Sequence, residues 1–314
     1  MNLPLLACLW FAATLPAMTV EPAPDPVLVA ELTADVAMLG DRIGERNTVR
    51  YEQLTAARDH IIAAFTAAGL AVVRQDYQAD GRQCSNIIAT VAGRDPTAPG
   101  WVVGAHYDSA IGSPGGNDNG TGVAAVLALA RRLQPGVQTA SIRLVAFVNE
   151  EPPFFQTAAM GSMVYAASLA AQGERLAGMI SLETIGCFSD QAGSQHFPDS
   201  ALAAIYPSTG NFVALVGNTA NHALVQRVRA AFDAAACGMP TQPFAGPEAL
   251  PGVGWSDHWA FWQHGYPAMM ITDTAPFRDE HYHTATDLPV NVDQVRLARV
   301  VAGTLTAVRA LAGP

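Results

Sequence analysis

Apolar residues recur at intervals of three and four in several stretches of the chain. Between residues 53 and 68, Leu54, Ile61 and Phe65 fall on one face of a helix, and Gly69 follows as a C-terminal stop. The same spacing predicts four further helices, at residues 120–133, 162–171, 223–236 and 293–311.

Short apolar runs rich in β-branched residues separate several of these helices. They predict strands at residues 86–91, 101–105, 142–148, 179–182, 212–216 and 268–272. Strands that alternate with helices indicate an α/β fold with a largely parallel sheet covered on both faces. The segments Gln191 to Pro207 and Pro240 to Trp255 show neither pattern and are predicted to be long loops. Nothing resembles a linker between two comparable domains, so we expect a single domain at residues 27–314.

The first 18 residues are apolar and are followed by a Pro-rich stretch, which is typical of an export signal and linker over residues 1–26. A periplasmic or secreted protein is therefore expected. The segment has no basic residue at its start, so an N-terminal extension of a cytoplasmic protein remains the alternative. It is short and broken by proline, and no other run of about 18 apolar residues exists, so no stable membrane span is predicted.

Composition excludes several classes of function. The formal charge is -10 and no basic cluster occurs, which excludes electrostatic binding of nucleic acid. All 17 basic residues are arginine, so neither a lysine Schiff base nor a P-loop lysine is available. Outside the N-terminal segment, the cysteines allow at most one intramolecular disulfide: Cys84, Cys187 and Cys237. The oligomeric state stays open.

Potential metal ligands follow the C-terminal ends of predicted strands, where open α/β sheets bind their ligands. His106 and Asp108 follow one strand, Glu150 and Glu151 the next, and Glu183 a third. Neighbouring side chains diverge, so one glutamate of the pair can bind metal while the other takes a proton from water. A solvated acidic turn would explain the pair equally well in isolation.

A Gly-rich stretch with Asp118 opens the predicted helix at residue 120, and imidazoles lie near the end of the chain at His258, His281 and His283. Asp118 alone would be an ordinary helix N-cap, and a lone histidine is more often structural than a ligand. The joint occurrence of a histidine, several carboxylates and a distal histidine at successive strand ends is what points to a metal site.

These residues follow the order found in one known family. The ordered set is His106/Asp108, Asp118/Asn119, Glu150/Glu151, Glu183 and Tyr282/His283/Thr284. The chain therefore resembles the zinc aminopeptidase family that includes secreted bacterial leucyl aminopeptidases and, more distantly, glutamate carboxypeptidase II and glutaminyl cyclase. The resemblance covers nearly the whole chain after the N-terminal segment. It implies a three-layer α/β/α fold with a mixed, mostly parallel sheet of about eight strands.

The resemblance also implies two zinc ions. It makes Asp118 the carboxylate that bridges both, with His106 and Glu183 completing one metal site and Glu151 and His283 completing the other. The implied reaction is hydrolysis that removes residues from peptides with a free N-terminus.

Three finer expectations follow from the resemblance. Glu150 becomes the general base for the zinc-activated water, and Asp108 orients the ring of His106. The Asp118-Asn119 peptide bond is expected to be cis. His283, which fits the Tyr-His-Thr pattern, is expected to be the distal ligand instead of His281.

The chain departs from the family pattern at two places. The family usually has aspartate as the fourth ligand, whereas this chain has Glu183. Glutamate still offers an oxygen to the metal but is one methylene longer. The stretch from Pro152 to Thr157 is longer and more aromatic than the usual turn, and it either shapes a substrate pocket or forms a rigid structural loop.

Two other functions remain open. A single-zinc glutaminyl cyclase shares the scaffold and would bind one metal ion instead of two. A non-catalytic binding domain on the same fold is the second, although each expected ligand position here holds a residue able to bind metal.

Overall fold

A computed structural model describes residues 23–314 and shows an eight-stranded mixed sheet between helices. The strands are β1 Val72–Ala79, β2 Arg82–Val91, β3 Gly100–His106, β4 Ile142–Phe147, β5 Leu176–Glu183, β6 Val213–Asn218, β7 Thr241–Gly246 and β8 Ala268–Thr272. The helices are α1 Pro26–Ala37, α2 Tyr51–Ala67, α3 Gly120–Arg132, α4 Gly161–Ala171, α5 Ser200–Ile205, α6 His222–Asp233, α7 His258–Gln263 and α8 Gln294–Leu311.

The strand order is β1-β2-β4-β3-β5-β8-β6-β7. The four central strands β4, β3, β5 and β8 are mutually parallel, whereas β2 pairs antiparallel with β4 and β6 pairs antiparallel with β8. The carboxyl ends of the central strands therefore meet at one edge of the sheet, which is where the candidate chemistry lies.

Helices cover both faces of the sheet, as an α/β/α fold requires. The larger layer contains α1, α2, α3, α6 and α8, and the smaller one contains α4 and α7. Helix α3 lies against β3, β4 and β5 and is buried from Gly120 to Ala130. Its small side chains let it approach the sheet closely, directly behind the strand ends that carry the candidate site.

The α/β class, the mixed sheet of eight strands and five of the helices are confirmed. Apolar patterning identified six of the strands and missed β1 and β7. The prediction of a loop at Pro240 to Trp255 was wrong, because β7 occupies its start and pairs with β6 at the sheet edge. The prediction of a loop at Gln191 to Pro207 was wrong in part, because the segment contains α5.

The predicted export signal at residues 1–26 lies almost entirely outside the described residues. Within residues 23–314, no helix has the length and apolar character needed to cross a membrane. Cys84, Cys187 and Cys237 are all free thiols, so no disulfide joins them.

Candidate active site

The parallel central strands bring the predicted residues together. His106 is the last residue of β3, Glu183 is the last residue of β5, and Glu150 and Glu151 follow β4. All four side chains are buried, with at most 8% of any of these residues exposed. Polar groups separated by up to 77 positions along the chain (106 to 183) thus share one cleft at the sheet edge.

The backbone turns sharply where three of these strands end. Asn149, Thr184 and Thr274 follow β4, β5 and β8 and adopt left-handed conformations, with φ of 61°, 41° and 67°. Such conformations are uncommon for residues other than glycine, and especially for β-branched threonine, and they cluster at functional sites. Each of these turns adjoins an acidic residue that faces the cleft or lies just behind it.

Asp118 is the centre of the cluster. One carboxylate oxygen, Oδ1, lies 3.4 Å from His106 Nε2, and the other, Oδ2, lies 3.0 Å from His283 Nε2. His106 Nε2 is also 3.3 Å from Glu183 Oε2, and His283 Nε2 is 3.2 Å from Glu151 Oε2. Each oxygen of Asp118 therefore faces one imidazole, and each imidazole also meets one glutamate.

These separations fit zinc. Two ligand atoms about 2.0–2.1 Å from a tetrahedral zinc ion lie about 3.3 Å apart, close to the distances observed here. Neither oxygen of Asp118 accepts a hydrogen bond, although both are fully buried, and Oε1 of Glu151 is equally without a donor. Buried carboxylate oxygens without donors are costly unless a cation satisfies them. His106, Asp118 and Glu151 form a group whose ligand atoms converge as metal ligands do.

The electrostatics of the cluster agree with a site built for cations. Burial, with the charge of Asp118, raises the pKa of Glu151 to about 7. Burial alone would lower the pKa of His283, but Asp118 and Glu151 raise it to about 10. A metal ligand must be deprotonated, so metal binding at this site displaces protons.

The two histidines of the distal motif lie in different surroundings. His283 reaches the cluster from a left-handed backbone, with φ of 58°. His281 points elsewhere, since its Nδ1 lies 2.9 Å from Thr286 Oγ1. The structure therefore brings His283, and not His281, to Asp118.

Glu150 lies beside the cluster without joining its short contacts. Its Oε2 is 3.9 Å from His106 Nε2, and burial raises the pKa of the carboxyl group well above its usual range. A buried carboxyl group next to a metal site is placed where it can exchange a proton with a water molecule bound there.

Asp108 holds the turn that carries the glutamate pair. Its Oδ1 and Oδ2 accept hydrogen bonds from the backbone N–H of Glu150 and of Glu151, both at 3.1 Å. His106 Nδ1 contacts the carbonyl oxygen of Asp108 at 3.1 Å and lies 3.7 Å from its carboxylate. The carbonyl is thus the closer partner of the ring, and the expected orienting role of the carboxylate stays a prediction.

The Gly-rich loop places Asp118 through backbone contacts. The expected cis Asp118-Asn119 peptide bond is confirmed. Asp287 accepts hydrogen bonds from the backbone N–H of Asn117 at 2.7 Å and of Asp118 at 3.1 Å. A side chain at Gly116 would meet the backbone of residues 287–289 at under 3.0 Å, so glycine is required for this close approach.

Arg46 was missed in the sequence analysis. It is fully buried, and its guanidinium group donates to five carbonyl oxygens, including those of Tyr107, Pro114 and Gly115. The carbonyls of Tyr107, Pro114 and Gly115 belong to the segments that carry Asp108 and Asp118. A single arginine in a loop gives no periodic or motif signal, so only the folded structure reveals this link.

Three further buried polar residues surround the cluster. Ser256 Oγ donates to Glu183 Oε2 at 2.7 Å. Asp273 Oδ2 accepts from the backbone N–H of Gly186 and of Cys187, three and four residues after Glu183. Burial raises the pKa of Asp257 to about 7 and that of Asp273 to about 7. His258, the next residue after Asp257, is buried with a pKa lowered by burial to about 4 and points at the carbonyl of Val253.

A pocket opens directly over the cluster. Besides Asp118, Glu150, Glu151, Glu183 and His283, its walls are Pro152, Phe155, Trp255 and Tyr282. Pro152 and Phe155 belong to the unusual stretch after the glutamate pair, which therefore lines the pocket. Beyond Trp255 and Tyr282 a narrow cleft leads toward an apolar pocket lined by residues such as Phe197, Leu202, Tyr206, Phe244 and Leu250.

Comparison with known proteins agrees with this site. The model of peptidase family M28 matches residues 86–308. The protein YfbL of Escherichia coli, described as uncharacterized, is 36% identical over 88% of this chain and 86% of its own. The fold is similar to that of a Fimbriiglobus ruber glutaminyl cyclase (TM-score 0.68, 18% identity, 92% of this chain and 98% of that chain). It is also similar to BSAP, a zinc aminopeptidase from Bacillus subtilis (TM-score 0.67, 16% identity, 89% and 94%).

The chain belongs to peptidase family M28. Membership of this family identifies the chain as a metallopeptidase, which is a hydrolase. Family membership also agrees with zinc as the metal.

Proposed function

We propose that this protein is an aminopeptidase that removes N-terminal residues from peptides with the help of two zinc ions. The observation that carries the proposal is the symmetric environment of Asp118. One oxygen faces His106 and the other faces His283, and each imidazole has its own glutamate. A carboxylate shared between two such groups is what a two-metal site needs.

The chain would hold one zinc ion with His106, Asp118 and Glu183, and the other with Asp118, Glu151 and His283. When bound, the two ions would polarise the scissile carbonyl and lower the pKa of a water molecule. Bound zinc would also take the lone pair of a neutral α-amine as a ligand, which would restrict cleavage to the N-terminus.

Glu150 would move the proton. From its position beside the cluster, 3.9 Å from His106 Nε2, its carboxylate would accept a proton from the attacking water and then pass it to the amine of the leaving group. Asp108, through the backbone N–H groups of Glu150 and Glu151, keeps the base and the metal ligand in a fixed relation.

The surroundings of the cluster favour an apolar N-terminal residue. Phe155, Trp255 and Tyr282 form aromatic walls around it, and an apolar pocket lies beyond them. A substrate side chain that leaves the metal site would enter apolar surroundings, and burial of apolar surface favours binding by about 25 cal/mol per Å².

The test is a panel of aminoacyl chromogenic substrates, each also prepared with an acetylated amine, assayed with and without a chelator. We expect cleavage of the free-amine substrates only, faster for leucyl and phenylalanyl than for glycyl or glutamyl substrates, and loss of activity with the chelator. Equal cleavage of acetylated substrates would exclude an aminopeptidase.

Glutaminyl cyclase is the second candidate, because the fold matches a glutaminyl cyclase as well as it matches an aminopeptidase. That reaction releases ammonia from an N-terminal glutamine and uses one zinc ion. Measuring ammonia from a glutaminyl peptide, together with the zinc content per chain, separates the two: one zinc with ammonia release would replace our proposal.

A further inference from the structure

The glutamate pair leaves β4 through a turn that is held by residues outside the cluster. We propose that Asn149 and Tyr77 are positioning residues for Glu150 and Glu151: the left-handed turn at Asn149, fixed by the hydroxyl of Tyr77, sets the direction of both carboxylates. The inference rests on the proposed function, in which Glu150 is the base and Glu151 a metal ligand.

Asn149 combines a left-handed backbone with a buried, hydrogen-bonded side chain. Its φ is 61°, and asparagine is one of the few residues other than glycine that adopts this region readily. It is only 1% exposed, and its side-chain Nδ2 donates to Tyr77 Oη at 3.1 Å. The side chain is thus tied down inside the protein, which also fixes the backbone to which it is attached.

Tyr77 reaches this turn from β1, an edge strand separated from β4 by β2. Its hydroxyl donates to the carbonyl of Ala159 at 2.9 Å, with the carbonyl of Val148 at 3.4 Å, while it accepts from Asn149. Residues 148 and 159 are the two ends of the loop that contains the glutamate pair. The hydroxyl of Tyr77 therefore closes the base of this loop and anchors Asn149 at the same time.

The opposite side of the turn is held by Asp108. Successive N–H groups of Glu150 and Glu151 converge on its two oxygens, and a left-handed residue next to such groups is what makes neighbouring N–H groups point at one anion. If φ at Asn149 changes, these two N–H groups diverge, and the side chains of Glu150 and Glu151 turn with them. Asn149 thus controls the base and the ligand together.

Three variants separate the two parts of the inference. Asn149→Ala opposes the left-handed conformation and removes the amide, whereas Asn149→Gly keeps the conformation and removes only the amide. Tyr77→Phe removes only the hydroxyl. Mutation of residues that hold metal ligands in place typically lowers metal affinity or activity by about 10–100-fold. We expect Asn149→Ala to lower kcat and zinc affinity by at least about tenfold with KM unchanged, and Asn149→Gly to recover part of this loss, the remainder being the contribution of the amide that bonds to Tyr77.

Matched controls exclude a general loss of stability. Asp80→Ala removes a tolerated left-handed residue, with φ of 48°, from the exposed turn between β1 and β2. Tyr266→Phe removes a tyrosine hydroxyl that donates to the carbonyl of Glu174. These two residues precede β8 and β5, whereas the glutamate pair follows the end of the parallel strand β4. Neither control should change kcat or zinc affinity by more than about twofold, even where it lowers the melting temperature.

A double variant tests the coupling of Tyr77 to Asn149. If Tyr77 acts through the amide of Asn149, adding Tyr77→Phe to Asn149→Gly should change zinc affinity less than Tyr77→Phe changes it in the wild type.

Zinc affinity is measured by calorimetric titration of chelator-treated protein and needs no substrate. Wild-type zinc affinity in an Asn149→Ala variant that is folded would overturn the inference while leaving the proposed function intact. Equal losses in Asn149→Ala and Asn149→Gly would show that the left-handed turn is not what matters and would also overturn it. A wild-type protein that binds no zinc would overturn the proposed function and the inference together.

Discussion

The buried guanidinium group of Arg46 permits a quantitative prediction. It donates to five carbonyl oxygens: Leu39 at 3.2 Å, Gly44 at 3.3 Å, Tyr107 at 2.6 Å, Pro114 at 2.6 Å and Gly115 at 2.9 Å. The ammonium group of lysine has three donors. An Arg46→Lys variant therefore leaves at least two of these carbonyls without this partner.

Each buried carbonyl left without a donor costs about 1–3 kcal/mol, so Arg46→Lys should cost about 2–6 kcal/mol. Domains are stable by about 5–15 kcal/mol, so this variant should still fold. We expect its melting temperature to fall by roughly 4–24 °C, given about 2–4 °C per kcal/mol for large domains. Arg46→Met would remove all five bonds at once and is not expected to fold.

The segments joined by Arg46 carry Asp108 and Asp118, so zinc affinity should weaken together with stability. Thermal unfolding and calorimetric zinc titration of the folded variant measure the two effects. The matched control is Arg131→Lys. Arg131 donates two hydrogen bonds to Asp35, at 2.7 and 3.0 Å, and this pair is not part of the metal cluster. Because lysine keeps the positive charge beside the buried Asp35, we expect this control to destabilise the protein less than Arg46→Lys and to leave zinc affinity unchanged. A melting temperature and zinc affinity for Arg46→Lys equal to those of the control would refute the reasoning.

Three further predictions concern the site itself. Glu150→Gln should keep both metal ions, measured by elemental analysis, and lower kcat by at least about a hundredfold, since only proton transfer is removed; near-normal turnover at full zinc content would mean that another group is the base. His283→Ala should reduce the zinc content whereas His281→Ala should not, and the reverse pattern would contradict the assignment of the distal ligand. In chelator-treated protein, stability should fall as pH rises from about 4 to about 7, because burial raises the pKa of Asp257 and Asp273 to about 7, above the value of about 4 in an unfolded chain. The folded state then binds more protons than the unfolded state over this range, which makes stability decrease as pH rises; urea unfolding that shows stability rising with pH would contradict this.

The ordered set of polar residues after strands could be read from the sequence because each strand carries a local signal. An apolar run such as residues 142–148 predicts a buried strand, and the acids that follow it stand out against that run. The rule that ligands bind at the carboxyl ends of parallel strands then places His106, Glu150, Glu151 and Glu183 at one edge. Local pattern and a general rule of topology were sufficient for this step.

The edge strands were not predictable in the same way. Strand β1 alternates between half-buried and exposed positions and carries charged residues, and β7 contains a proline and is only partly buried. Both are edge strands, where a solvated face or a proline is tolerated, so their sequences look like loops. Only pairing with β2 and β6 makes them strands.

By itself, the sequence determined the fold class and the ordered set of candidate ligands, because hydrophobic periodicity and residue type are local properties. The tertiary structure alone decided that the two oxygens of Asp118 face different histidines and that Asp108 holds the turn of the glutamate pair. It also decided that Arg46 joins the loops behind the cluster. These are contacts between residues far apart in the chain, and their geometry depends on strand order, on left-handed turns and on packing, none of which leaves a periodic signal in the sequence.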